Sequence, residues 1–221
     1  MTREEIFAKL KESITEMDAD LAVEAAEAAL AAGLDPLECI SDGLSAGMQV
    51  MSDLFDEGEA FVPELLTASE AFDAAVKVLT SGMSEEEKNS ASNGVVIIHT
   101  VQGDIHDIGK NIVKTMFEAN NFTVYDLGRD VSVVSVVDKA IEVNADFILG
   151  SALMTTTMPA QRDIINLLKE RGVRDKYIVM FGGAPVSQEW CDQIGADGFT
   201  QTATEAVVLA KELLAKKRKG A

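Results

Sequence analysis

The chain is poor in the residues that build most catalytic and metal centres. Its 221 residues include two cysteines, two histidines and one tryptophan. Cys39 and Cys191 lie far apart without a C-x-x-C spacing, which excludes a disulfide framework and a zinc knuckle and suits free thiols in a reducing compartment. Basic residues are scarce too, 19 against 37 acidic ones, for a net charge of −18. Such a surface repels phosphates, so neither nucleic acid nor an anionic membrane is an expected partner. The one positive cluster, KKRKG at Lys216–Gly220, reads as the solvated end of a helix, where cations complement the dipole. There is no run of 18 apolar residues, and MTREEIFAKLKES has neither the apolar segment nor the cleavage site of a secretory signal. A soluble cytoplasmic protein is expected. Also missing are G-x-S-x-G and the two glycine-rich phosphate loops, which excludes a nucleophile elbow and a nucleotide cradle of those types.

What is present is enough apolar residue, 47%, to bury a sizeable core. The chain changes grammar midway. Up to Leu79 every segment has helical period: Ile6, Leu10 and Ile14, then an alanine-rich stretch from Leu21 to Ala32 that stops at Gly33. Asp35-Pro36 supplies a cap and a first-turn proline for a third helix carrying Leu37, Ile40, Leu44, Met48, Met51 and Phe55, and Pro63 opens a fourth. This predicts a four-helix bundle over residues 1–88. The polar stretch Ser84–Gly94 reads as a linker. Beyond it, apolar strands at Val95–Thr100, Phe122–Asp126, Phe147–Gly150 and Tyr177–Phe181, with a fifth near Gly198-Phe199, alternate with helical patterns. The expectation for residues 89–221 is a five-stranded, parallel, doubly wound α/β domain of flavodoxin or Rossmann type. Ligands of such sheets sit at the carboxyl ends of the strands.

At the carboxyl end of the first strand stands GDIHDIGKNIV, from Gly103. A strand-to-helix turn has no use for a histidine between two aspartates. A metal-ligating histidine, however, donates its other ring nitrogen to a carboxylate, which fixes the tautomer and raises basicity. Asp104, two residues before His106, falls on the same side of an extended chain and can serve so. One isolated histidine suffices for a metal that arrives already held in a macrocycle. A phosphoacceptor signalling domain of the same architecture would leave His106 without a task.

Asp104-x-His106-x-x-Gly109, Ser151-x-Leu153 and Gly182-Gly183, each at the end of a predicted strand, together resemble the signature of cobalamin-binding domains that hold the corrinoid base-off with histidine on. GLSAGMQVMSDLFDEGEAFVPELLTASEAF, Gly43 to Phe72, resembles the helical cap of methyl-transferring corrinoid proteins and, more distantly, of cobalamin-dependent methionine synthase. With YDLGRDV, GSALMTTTM and FGGAPVSQEW added, the chain looks most like the corrinoid proteins of anaerobic methylamine-type methyltransferase systems.

That resemblance implies a cobalamin cofactor with His106 as lower cobalt ligand and a hydrogen-bonded relay of Asp104 and Thr157 behind it, a threonine where serine is usual. It implies that Ser151 and Thr155 bond the buried nucleotide tail, that Gly109, Leu153, Gly182 and Gly183 line the cofactor site, and that Phe55 and Val62 of the cap cover the cobalt face. The implied role is a methyl carrier rather than a self-sufficient enzyme. Its partners would be a substrate-specific methylamine-type methyltransferase, a second methyltransferase acting on a thiol or pterin, and a reductive activation protein. A cap shielding the methyl face would have to move on the Ser84–Gly94 linker. Two alternatives share the cofactor domain: a subunit of an adenosylcobalamin mutase, which the cap argues against, and a cobalamin-based sensor, for which this acidic chain shows no output domain.

Overall fold

The computed structural model describes residues 1–83 and 92–220. It divides into two compact units, Met1–Asn93 with Glu118–Asn121, and Gly94–Phe117 with Phe122–Ala221. Most of the expected linker, residues 84–91, lies outside the described residues.

The first unit is helical. Helix α1 spans Arg3–Thr15 and opens with a capping box in which Thr2 and Glu5 exchange side-chain and backbone bonds. Helix α2, Ala19–Ala31, is capped by Asp18, and Gly33 beyond its end takes φ +69°. Asp35 accepts the Glu38 N–H at 2.9 Å, and Pro36 starts a short turn, α3 (Pro36–Glu38). This passes through a π-helical segment, Cys39–Leu44, into α4 (Ser45–Asp56); α5 covers Val62–Leu79. The expected periodicities become the core: Ile6, Leu10, Ile14, Leu44, Met48, Met51, Phe72 and Leu79 are all buried. Small residues set the spacing. A Cβ at Gly43 would meet Leu10 at 2.9 Å and one at Gly47 would meet Ile14 at 2.7 Å, so α4 approaches α1 more closely than a side chain allows. The buried face of α2 is Ala22, Ala25, Ala26 and Ala29 for the same reason.

The second unit is a parallel sheet of β1 (Val95–Thr100), β2 (Thr123–Asp126), β3 (Phe147–Ser151) and β4 (Ile178–Gly182) in the order β2-β1-β3-β4. The connecting helices are α6 (Ile108–Ala119), α7 (Val133–Glu142), α8 (Pro159–Glu170) and α9 (Gln188–Ile194), and α10 (Ala203–Gly220) follows. Ile97, Ile148, Val179 and Phe181 share one core with Val136 and Val137 of α7 and Ile164 and Ile165 of α8.

The fifth strand is a correction to the sequence reading. Near Gly198-Phe199 only an isolated bridge, Met180 to Gly198, is made, so the sheet has four strands among the described residues. The Asp197 carboxylate accepts the Val179 N–H at 2.7 Å, and a side chain thus stands where a strand would offer backbone. The chain then turns into Thr202, whose hydroxyl accepts the Glu205 N–H at the start of α10.

The order β2-β1-β3-β4 sends the connections from β1 and β3 in opposite directions, and a switch point opens between their carboxyl ends. The loops at that point are 101–107 and 152–158.

Candidate functional site

These two loops meet on one carboxylate. Asp104 is 0% exposed. Its Oδ1 accepts from the His106 backbone N–H at 3.0 Å and from His106 Nδ1 at 2.8 Å; its Oδ2 accepts from the Leu153 N–H at 2.8 Å and the Thr157 hydroxyl at 2.7 Å. Burial alone would raise the Asp104 pKa, but these four donated bonds hold it well below the usual carboxylate range. An ionised carboxylate only accepts, so Nδ1 carries the proton of this bond. The His106 side chain is 47% exposed. A held Nδ1 proton, a backing negative charge and a half-exposed side chain leave Nε2 as the nitrogen that would meet a metal.

The backbone around this group is held from a third loop. Gly103, at φ +84°, donates its N–H to Asp130 Oδ1 at 2.7 Å, and the Asp130 N–H donates to the Asp104 carbonyl at 2.9 Å. Asp130 itself takes φ +53°, which aspartate tolerates better than most residues. On the other side, the Thr100 hydroxyl donates to the His106 carbonyl at 3.1 Å. Lys110, almost fully buried, reaches both Asp126 oxygens at 2.8 Å and ties the first turn of α6 to the end of β2. Asp130 and Lys110 lie in motifs quoted above, yet their long-range roles leave no spacing signal.

The same loops present apolar side chains to solvent: Ile105, Ile108 at 80% exposed, Leu153 and Met154. Four exposed apolar residues on these loops and at the start of α6 suit a largely apolar ligand. A cavity of about 500 Å³ opens between the Ile98, Leu149 and Met180 face of the sheet, α6 and the Phe199–Ala203 segment. Gly109, Ser151, Gly182 and Gly183 line it.

The paired glycines answer to different constraints. Gly183 has φ +119°, and a Cβ there would run into the Ala152 backbone. A Cβ on Gly182 or Gly109 would meet nothing within 4 Å. No protein neighbour requires those two to be glycine, and their open space belongs to the cavity. Thr155 is exposed in the turn after β3 and is not among the lining residues. Phe55 ends α4 and Val62 begins α5 in the first unit, both half-buried. Among the described residues no group of three or more His, Cys, Asp or Glu side chains could cage a free ion. A single carboxylate-backed imidazole, exposed apolar residues nearby in sequence and a cavity at the carboxyl end of the sheet fit cobalamin, whose metal can take one protein ligand.

Comparison with known proteins agrees with this geometry. Residues 94–210 match the B12 binding domain, and residues 6–80 match a second B12 binding domain family. Trimethylamine corrinoid protein 1 of Methanosarcina acetivorans is 47% identical over 96% of this chain and 99% of the relative. Dimethylamine corrinoid protein 1 of the same organism is 48% identical over 97% of this chain and 100% of its own length. Among solved structures, the methanol:cobalamin methyltransferase complex MtaBC from Methanosarcina barkeri aligns with TM-score 0.76 and 33% identity, covering 97% of this chain and 81% of that one.

Proposed function

Because the chain belongs to the family of methylamine corrinoid proteins with B12 binding domains, we propose that it carries a methyl group on the cobalt of bound cobalamin, between a methylamine-type methyltransferase and a second methyltransferase. The observation that carries this reading is Asp104, whose four accepted bonds engage His106 Nδ1 and leave Nε2 of a half-exposed side chain as the donor. The cobalt, when bound, supplies the group that accepts and releases methyl. His106 Nε2 would hold the metal, and Gly109, Ser151, Gly182 and Gly183 would hold the nucleotide tail in the cavity that they line. Leu153 would contribute through its backbone N–H to Asp104, whereas Thr155, expected to bond the tail, stands exposed in the turn after β3 and outside that lining. Phe55 and Val62 of the helical unit are the proposed cap residues.

The part of the protein in the chemistry is proton control. With cobalamin bound, His106 Nε2 would hold the metal while Nδ1 donates to Asp104, itself held by Thr157; with Nε2 free, the Asp104 charge would stabilise a proton there. Asp104 and Thr157 thereby link ligation to proton uptake without touching the methyl group.

The aligned methyltransferase complex supports a methyltransferase as partner. The second methyltransferase, with a thiol or pterin acceptor, and a reductive activation protein complete the proposed cycle. Similarities of 47% and 48% to trimethylamine and dimethylamine proteins do not favour one donor, so selection belongs to the partner enzyme. No helix among the described residues is long and apolar enough to cross a membrane; the cytoplasm is the proposed compartment.

The test is isotopic. Protein labelled with 15N-histidine, loaded with cobalamin and reduced by one electron, should show the electron paramagnetic splitting of a 15N axial ligand. A 14N splitting unchanged by the label would mean that the cofactor's own base is still bound, and His106→Ala assigns the residue.

A further inference from the structure

Gln161 is a polar side chain in an apolar core. It is 0% exposed and stands in the first turn of α8, four residues after Thr157. Burying an amide is unfavourable unless each polar atom is bonded, and leucine or methionine would fill the space more cheaply. Every polar atom of this one is used. Nε2 donates to the carbonyls of Gly150 and Gly182, at 3.3 Å each, and Oε1 accepts the indole N–H of Trp190 at 2.9 Å.

The orientation is not arbitrary. An indole can only donate and the two carbonyls can only accept, so the amide is bonded in one sense and frustrated in the other. Trp190, the single tryptophan of the chain, thus fixes the amide, and the amide fixes two strand ends.

Those strand ends are walls of the cavity. Gly150 and Gly182 both line it, and they stand in the last two pairs of the β3–β4 ladder, Gly150 opposite Phe181 and Ser151 opposite Gly182. The Ala152 N–H also bonds the Gly182 carbonyl, at 3.0 Å, and Gly183 packs on the Ala152 backbone. Beyond the ladder itself, the Gly150 and Gly182 carbonyls at the groove's edge are therefore fastened by one buried amide together with this backbone contact. We infer that Gln161, oriented by Trp190, is a positioning residue that holds the groove at the width a nucleotide tail requires. It touches neither the metal ligand nor the exposed apolar side chains, and it acts through the Gly150 and Gly182 backbone. The inference rests on the proposed cobalamin function.

The test compares two corrinoids. Hydroxocobalamin carries the nucleotide tail; diaquocobinamide has the same corrin and cobalt without it. In Gln161→Glu an oxygen replaces the amide nitrogen, so a protonated carboxyl can serve only one of the two carbonyls and the other loses its donor. Cobalamin affinity, measured by absorbance titration, should fall about tenfold or more, while cobinamide affinity stays within about twofold of wild type. Equal losses for both would mean that Gln161 only supports the fold, and no loss for either would mean that it sets nothing; each overturns the inference. If Gln161→Glu fails to fold, Trp190→Phe keeps the ring and removes the donor. It should lower the cobalamin-to-cobinamide affinity ratio in the same direction by a smaller factor, and an unchanged ratio there overturns the inference. Wild-type protein that bound neither corrinoid would instead refute the functional proposal itself.

Discussion

The two histidines stand seven positions apart in sequence and in opposite environments. His106 is half-exposed, with an ionised carboxylate at 2.8 Å from Nδ1. His99, in β1, is fully buried, and neither of its ring nitrogens has a hydrogen-bond partner. Its ring lies over Gly150, where a Cβ would meet His99 at 3.0 Å and Phe181 at 2.9 Å. Burial pushes its pKa down to about 4, and the Lys110 charge adds to this. The Leu149 backbone, second only to burial, and Asp126 pull the other way. The contrast teaches that an imidazole becomes a metal donor through what stands behind it. A buried ring without a carboxylate is merely neutral; a ring with one is oriented, with Nδ1 held and Nε2 left for a ligand.

The largest expected effect that sharpens this contrast is acid sensitivity from His99. The native protein keeps His99 neutral down to about 4, while the unfolded chain protonates it near 6.5. Between those values the unfolded state binds more protons, so stability rises with pH. The contribution is complete above pH 6.5 and lost as pH falls through 4, a swing of about 3 kcal/mol. Urea unfolding of the cofactor-free protein from pH 4 to 7.5, beside His99→Leu, isolates it from the carboxylates. Parallel curves for the two proteins would refute the assignment.

Next in size is Asp104→Asn. All four groups around Asp104 are donors, and an amide has one oxygen where the carboxylate has two, so one donor pair faces an NH2 group. A loss of about 2 kcal/mol is expected in the cofactor-free protein at pH 7. Nitrogen NMR should also show the His106 proton no longer confined to Nδ1. A tautomer unchanged in the variant would mean that the carboxylate does not set it, and the contrast with His99 would collapse.

The smallest effect belongs to Thr157. Valine keeps the shape and removes the bond to Oδ2, at a cost of about 1 kcal/mol, whereas serine, retaining the hydroxyl, should fall within about 0.5 kcal/mol of wild type. If valine were as stable as serine, Thr157 would not belong to the network.

Much of this was legible because it is local. Ile6, Leu10 and Ile14 show their buried face by period alone, Asp35-Pro36 shows its cap, and Asp104 reaches His106 because residues two apart on extended chain share a side. What sequence reading missed is long-range or depends on exposure. Gln161 and Trp190 lie 29 positions apart, and no spacing rule joins them. Asp130 reads as one charge in a polar turn until its partner, Gly103, folds beside it. The fifth strand failed because Asp197 bonds Val179 through its side chain, which apolar patterning cannot anticipate. His99 sits inside an apolar run and was masked by the strand that contains it.

Gly182 and Gly183 carry a consequence for inherited variation. A substitution at Gly183 damages the fold, because any side chain strikes the Ala152 backbone, and its expected signature is low abundance of the chain. A change at Gly182 leaves a healthy polypeptide with an obstructed groove, and its signature is normal abundance with an empty site. Adjacent, chemically identical positions thus fail in opposite ways. Surveying natural variants for abundance and for bound corrinoid would assign lesions to folding or to loading without any structure being solved.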